Sequence, residues 1–476
     1  MSIQTNCTIL QPRPYANCSG KLLLLPLLSS KRTFDLPNEL WIHVFELGAE
    51  GREATRFLRS LLTVSKRFKD IVLPLFYSSA RISTLPNLYS FWDHLHTADT
   101  KWDSIRRSPY SAPGRWVQRL DLSNLPFTSQ SAALEFDGIL TKLFPLLPFL
   151  SSLKMNPSFI LSRRAIGALI DSTLGTAGVL MLRKLEGLSY VPQTHAFQYI
   201  SGGVSQVQPE EPLVQLLRHC PYLEELEVIG RGLDSTELDF LNSAAFEEQQ
   251  SQQSTPISNI FNLLDSSTLG ITPIHLPALR TLTLLSHLHS SALALTLLIS
   301  PLPSLKKLTI TPYDDVPFPY SLNSQFILVH GTNLSSLSLL TPNSNEWPRR
   351  VHRSPSLRTI LTACPNLRHL GLESPLPEIQ IPLLPSVPSE SQKQTHPLEI
   401  LTLPRPTHTS FTLLRTVLPT TPNLRAVRAR DVRWLRKGMG LRAMEAGVQG
   451  EMREWRRKLA RRGVRVVDGE WKDAEE

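Results

Sequence analysis

The residues best suited to chemistry in this chain are its 13 histidines and four cysteines. Metal ligation needs such side chains at short fixed spacings, because two ligands must reach one ion from one turn or one helix face. The tightest histidine spacings are His94 with His96 and His287 with His289, and none has a Cys, Asp or Glu at ligand spacing. They read as surface or loop residues. Cys220 and Cys364 each precede a proline inside an apolar run and read as small core side chains; Cys7 and Cys18 lie in an irregular N-terminal stretch. Four thiols in 476 residues form no disulfide framework, which suits a reducing cytoplasmic or nuclear compartment. No G-x-S-x-G elbow, phosphate-binding loop or dinucleotide fingerprint occurs, and Gly438-Met439-Gly440 lacks the third glycine. No catalysis, cofactor or metal is therefore expected.

Charge is the other candidate for chemistry. Residues 428–465 hold 13 Lys and Arg against 4 Asp and Glu, which equals the +9 of the whole chain. Within this tail Leu441, Met444, Val448, Met452, Trp455 and Leu459 recur at three- and four-residue steps, the spacing of one helix face. Arg453, Arg456, Arg457, Lys458, Arg461 and Arg462 crowd the second half. Two uses fit: a helix that closes the end of a larger array, or a patch for nucleic acid or an acidic partner. Interleaved Glu451 and Glu454 and sparse aromatics favour the cap. A short strand, Val464 to Val467, is predicted after it.

The elements that must position these residues are repeats. From about residue 115 the pattern Leu-x-x-Leu-x-Leu recurs, as in Leu223-Glu-Glu-Leu226-Glu-Val228, Leu305-Lys-Lys-Leu308-Thr-Ile310 and Leu367-Arg-His-Leu370-Gly-Leu372. Ten copies occur, counting the degenerate Leu182-Arg-Lys-Leu185. The alternating end of each copy predicts a strand with one buried face, and helix-compatible stretches lie between copies. A single copy cannot bury its own leucines, so the copies must stack. The pattern resembles the leucine-rich repeat family, with Cys220-Pro221 and Cys364-Pro365 similar to its cysteine-containing variety. That resemblance implies an α/β solenoid of parallel strands and helices over residues 115–430, with insertions near 235–275 and 373–397.

Ahead of the repeats, Leu36-Pro37-x-Glu39-Leu40 opens a helix in which Leu36, Leu40 and Val44 fall at i, i+4 and i+8. Gly48 and Gly51 break it, a second helix follows over 53–63, and a third runs over 64–73 until Pro74 stops it. Three short helices bury too little to stand alone, so this unit needs a partner. With Val64-Ser65-Lys66-Arg67-Phe68, these residues resemble an F-box, the motif that joins substrate receptors to the Skp-family adaptor and cullin scaffold of ubiquitin ligases. The resemblance implies that Leu36, Pro37, Leu40, Val44, Phe45, Leu61, Val64 and Phe68 contact the adaptor. It makes the chain a non-catalytic receptor that holds an unidentified protein target on its repeats. The alternative is a repeat scaffold for protein or nucleic acid with no link to ubiquitin. The expected order is a disordered tail (1–33), an F-box-like module (34–80), a connecting segment (81–114), the solenoid, and a basic cap (431–476). The only strongly apolar run near the start, Leu22 to Leu28, is short and carries Pro26, so no membrane partner is expected.

Overall fold

The computed structural model describes residues 36–49, 51, 53–100, 113–127, 129–172, 179–191, 211–230, 272–287, 291–311, 322–340, 357–372, 396–434 and 443–473. The expected tail at 1–33, most of the 235–275 insertion, and all but the last two residues of the 373–397 insertion lie outside them. The chain divides into two compact units, residues 1–72 and 73–476.

The first unit holds α1 (Asn38–Gly48), α2 (Ala54–Leu61) and the first half of α3 (Lys66–Ser78). The third helix does not stop at Pro74 as predicted; it carries the proline inside and runs on to Ser78. An internal proline costs a helix about 3 kcal/mol or more. Burial downstream offsets it: Tyr77 lies 6.5 Å from the Phe91 ring, 6.1 Å from His94 and 6.1 Å from Trp116.

The second unit is built on one sheet of twelve strands, all parallel and in sequence order. The strands are β1 (Ser79–Arg81), β2 (Arg119–Asp121), β3 (Ser152–Lys154), β4 (Lys184–Tyr190), β5 (Glu225–Gly230) and β6 (Thr281–Leu285). They continue with β7 (Lys307–Ile310), β8 (Ser336–Leu339), β9 (His369–Leu372), β10 (Ile400–Leu403), β11 (Ala426–Ala429) and β12 (Arg465–Val467). Between them run α4 (Leu85–Thr100), α5 (Gln130–Leu143), α6 (Arg163–Asp171), α7 (Pro212–Arg218), α8 (Ala292–Ile299), α9 (Leu322–His330), α10 (Leu357–Ala363), α11 (His408–Val417) and α12 (Ala443–Ala460). This strand–helix alternation is that of a solenoid-like repeat. Four crossovers begin where a side-chain hydroxyl accepts from the helix backbone: Ser129 from Ala132, Ser162 from Ala165, Ser291 from Ala294 and Thr407 from Ser410.

The repeat motif explains the register. Its second leucine faces inward in every strand, so Leu226 pairs with Leu282, Leu282 with Leu308, Leu308 with Leu337 and Leu337 with Leu370. Each is at most 1% exposed, and burying such a side chain contributes about 1.5–3 kcal/mol. The two residues before that leucine both face outward, which a plain alternating strand would forbid. A shared acceptor makes this workable: the carbonyl of Arg280 takes the N–H groups of both Lys306 and Lys307, at 3.0 and 2.9 Å. The Lys306 carbonyl does the same for Ser335 and Ser336, and the Ser335 carbonyl for Arg368 and His369.

The sheet starts earlier than residue 115. Around β1, Tyr77 at the end of α3, Ala80 and Ile82 take the three leucine positions, and the Gln118 N–H donates to the Ser78 carbonyl in the same relay. The stretch expected to be a mere connection therefore includes α4, whose Leu88 and Leu95 belong to the core. The degenerate copy forms the longest strand, β4, because a bulge between Leu185 and Leu188 inserts one residue. Gly187 sits in that bulge at φ +68°, and a Cβ there would strike the Met155 carbonyl.

At the other end β12 forms as predicted and pairs with β11. The basic helix α12 is the crossover that leads into β12, the order the sequence predicts. Met452, Trp455 and Leu459 are buried, while Arg453, Arg457, Lys458, Arg461 and Arg462 are exposed. The chain then turns back on β12 through buried Asp468, whose carboxylate accepts from the N–H groups of Trp434, Glu470 and Lys472. Such a turn covers part of an edge that would otherwise present unpaired backbone groups.

Gly187→Ala is expected to lower stability by about 1–3 kcal/mol, the cost of a strained backbone position. Gly450→Ala, on α12 with nothing near its missing Cβ, is expected to raise it by up to about 1 kcal/mol. Chemical denaturation of the two variants, compared at constant slope, checks both signs.

Candidate interaction surfaces

In the first unit three rings make the interior: Trp41 and Phe45 lie 5.4 Å apart, and both meet Phe68, at 4.9 and 5.1 Å. Arg67 ties α3 to the start of α1, its Nε donating to Asn38 Oδ1 at 2.9 Å and its Nη2 to the Leu36 carbonyl at 2.8 Å. Phe45 is therefore not available to a partner as expected; it is 2% exposed because its ring closes this cluster. Phe68, in the same cluster, is half-buried, as are Leu36 and Leu61, and Pro37 is exposed at the helix cap. What remains outward is aliphatic: Leu40 (49% exposed), Val44 (47%) and Val64 (62%) among the expected residues, and Leu47 (68%) in addition. Leu47 continues the Leu40 and Val44 stripe at a three-residue step, a signal the sequence carried.

In the second unit the outward residues of the early strands form a ladder of opposed charges. Arg81 pairs with Asp121 at 3.1 Å, Lys154 with Glu186 at 2.8 Å, Lys184 with Glu225 at 2.7 Å and Arg183 with Glu224 at 3.6 Å. Hydrogen bonds from Ser123 and the nearby Arg81 hold the Asp121 carboxyl below its usual range despite burial. These pairs are half-exposed and each contributes at most about 1 kcal/mol; their main effect is to neutralise that part of the face. Hydroxyls replace the carboxylates across β6 to β8, and His369 on β9 lies 2.9 Å from both Ser336 Oγ and Thr402 Oγ1.

One buried polar cluster has the residue types of an active centre. Nδ1 of His287 lies 3.4 Å from Ser291 Oγ, its Nε2 lies 3.4 Å from the Val228 carbonyl, and its ring is 5.2 Å from Tyr190. Tyr190 and Glu211 also border a cavity of about 120 Å³ with Ile160, Ile166, Leu188 and Leu213. His287 lies in the loop after β6 but not at the surface: it is 3% exposed, packed behind the end of that strand. Burial pushes its pKa down to about 4 and pushes the Glu211 carboxyl up, so both are held toward their neutral forms. Ser291 is fully buried and caps α8, which leaves a substrate no approach to the hydroxyl. The cluster reads as core. Cys220 and Cys364 are likewise buried, with thiols pushed up to about 12, far from the thiolate that reactivity needs.

Comparison with known proteins adds nothing to this geometry. No protein-family model and no curated protein matches the chain. Among the described residues, no group of three or more His, Cys, Asp and Glu side chains could hold a metal ion. Nor is any described helix long and apolar enough to cross a membrane. The surfaces themselves are what can be read.

His287 makes stability depend on pH with a definite sign. Its folded pKa of about 4 lies below the ordinary value of 6.5, so the unfolded chain takes up the proton first as pH falls. The associated stability is complete above pH 6.5 and is lost between there and pH 4, by about 2 kcal/mol at pH 5. His287→Gln is expected to flatten the fall in melting temperature between pH 7 and pH 5; an unchanged slope would show that this histidine is solvated.

Proposed function

We propose that this chain is an F-box protein with leucine-rich repeats: a non-catalytic receptor that joins a protein target to a cullin–RING ubiquitin ligase. The observation that carries the proposal is the aliphatic stripe Leu40, Val44 and Leu47, with Val64 also exposed, on a helical unit whose rings Trp41, Phe45 and Phe68 are spent on its own interior. A stable monomer gains nothing by exposing such a stripe, and a helix laid in an apolar groove gains most of its affinity from a few anchors of this kind. The Skp-family adaptor would occupy the stripe, and the cullin would follow through the adaptor. The twelve-stranded sheet offers a long face for a folded or extended target. Ubiquitin transfer would then be accelerated by proximity alone, since a tethered target lysine meets the conjugating enzyme at high local concentration.

A second reading, a repeat scaffold without ubiquitin coupling, is favoured by the exposed arginines of α12, which the adaptor reading does not use. One titration separates the two. Purified full-length chain and a Skp-family adaptor are expected to bind in isothermal calorimetry. Leu40→Ala and Val44→Ala are each expected to weaken binding about 30-fold, the effect of a 2 kcal/mol anchor. Both side chains are exposed, so the circular dichroism spectrum should not change. Absence of binding by the native chain, or an unchanged affinity in the double variant, would favour the scaffold.

A further inference from the structure

The outward face of the sheet changes character at β6. On β1 to β5 four carboxylates, Asp121, Glu186, Glu224 and Glu225, each face a cation, as described above. On the next four strands the outward positions carry Arg280, Lys306, Lys307, Arg368 and His369 among Thr and Ser, and no carboxylate. Arg368 has Glu399, the residue before β10, at 3.9 Å. Arg280, Lys306 and Lys307 are exposed and have no acidic partner among the described residues. Of the acids on the adjoining strand, Glu224 and Glu225 are held by Arg183 and Lys184, and Glu227 accepts from the Gly187 N–H on β4. The backbone relay makes neighbours of these cations, which lie 26 residues apart in the chain: Lys306 donates to the carbonyl of Arg280. Burial, with the Arg428 and Lys307 charges, holds His369 below its usual pKa, so the field of Lys307 reaches β9.

We infer that β6 to β9 form a docking strip for an acidic, Asp- and Glu-rich peptide segment lying across the strands. The four strands span three spacings of about 4.8 Å, roughly the length of four extended residues. The cations are set in a row across this span and do not converge on one point, which suits several carboxylates better than a single phosphate. Hydroxyls of Thr281, Thr309, Ser336 and Ser338 stand between them as donors. Apart from His369 no ring is present on the strip to stack a base, which disfavours nucleic acid. The inference rests on the proposed receptor role only in taking the ligand to be a polypeptide target.

The test is fluorescence anisotropy of the full-length chain with a labelled decapeptide of alternating Glu and Ser. Binding is expected to weaken at least tenfold between 50 and 300 mM salt, on the order of the loss when a few charge contacts are screened. It is expected to weaken at least tenfold in Lys306→Glu/Lys307→Glu and to change little in Lys184→Glu, on the neutralised part of the face. Lys306→Gln/Lys307→Gln removes the charge without reversing it, and the same weakening is expected of it should the Glu pair unfold. A Lys–Ser peptide should not bind. No binding of the acidic peptide, binding indifferent to the 306 and 307 variants, or tighter binding of a singly phosphorylated peptide or of oligouridine would overturn the inference. No adaptor enters this assay, so its failure leaves adaptor docking standing, and failure of adaptor docking leaves this strip standing.

Discussion

One constraint governs the second unit: the central leucine of each repeat must lie directly beside that of the next. The row runs in register from Leu120 on β2 to Val466 on β12, with every member almost wholly buried. No single repeat encloses enough apolar surface to fold alone, so stability is shared between neighbours and propagates along the array. From β2 to β11 the paired N–H groups that converge on one carbonyl at each step fix how far adjacent strands slide. Because two outward residues precede each inward leucine, the same step that buries the core also lines up rows of surface side chains.

That coupling explains where charge can act. Residues 26 to 56 positions apart in the chain become lateral neighbours, as Lys184 and Glu225 do across β4 and β5. On the early strands most neighbours neutralise one another; across β6 and β7 they do not. The helical unit follows the same logic on a smaller scale. Its rings satisfy one another around Phe45, and the aliphatic residues left over face outward. The proposed receptor role needs only these two properties, an apolar stripe to hold an adaptor and a patterned face to hold a target. Where buried polar groups do meet, at His287, Ser291, Tyr190 and Glu211, desolvation works against the charged forms that acid–base chemistry would need.

Much of this was legible in the sequence, and the misses have physical causes. Leu-x-x-Leu-x-Leu announces its strand because the spacing of inward positions depends only on backbone geometry. The strand at Ser79 was hidden because Tyr77 and Ala80 stand where leucines do elsewhere, and edge positions tolerate that exchange. The bulge at Gly187 displaced the third leucine of β4 by one residue, so a full strand looked like half a motif. Pro74 was read as a stop because local propensity says so; packing around Tyr77 overrides it. Phe45 sits close to the stripe it was assigned to, and only the third helix, through Phe68, reveals that its ring turns inward. His287 gave no sequence signal at all, since nothing in one dimension shows that Val228 and Tyr190 close over it. The absence of acids across β6 to β9 was equally invisible until the register was known.

The most direct test of the central claim is the composition of the complex that the chain forms in its own cells. The full-length protein, tagged and isolated under mild conditions, would be analysed by quantitative mass spectrometry against an unrelated tagged control. The account predicts a Skp-family adaptor at close to one copy per chain, with a cullin alongside it. An isolated chain that brings down neither, while its sheet unit is folded by hydrogen exchange, would contradict it.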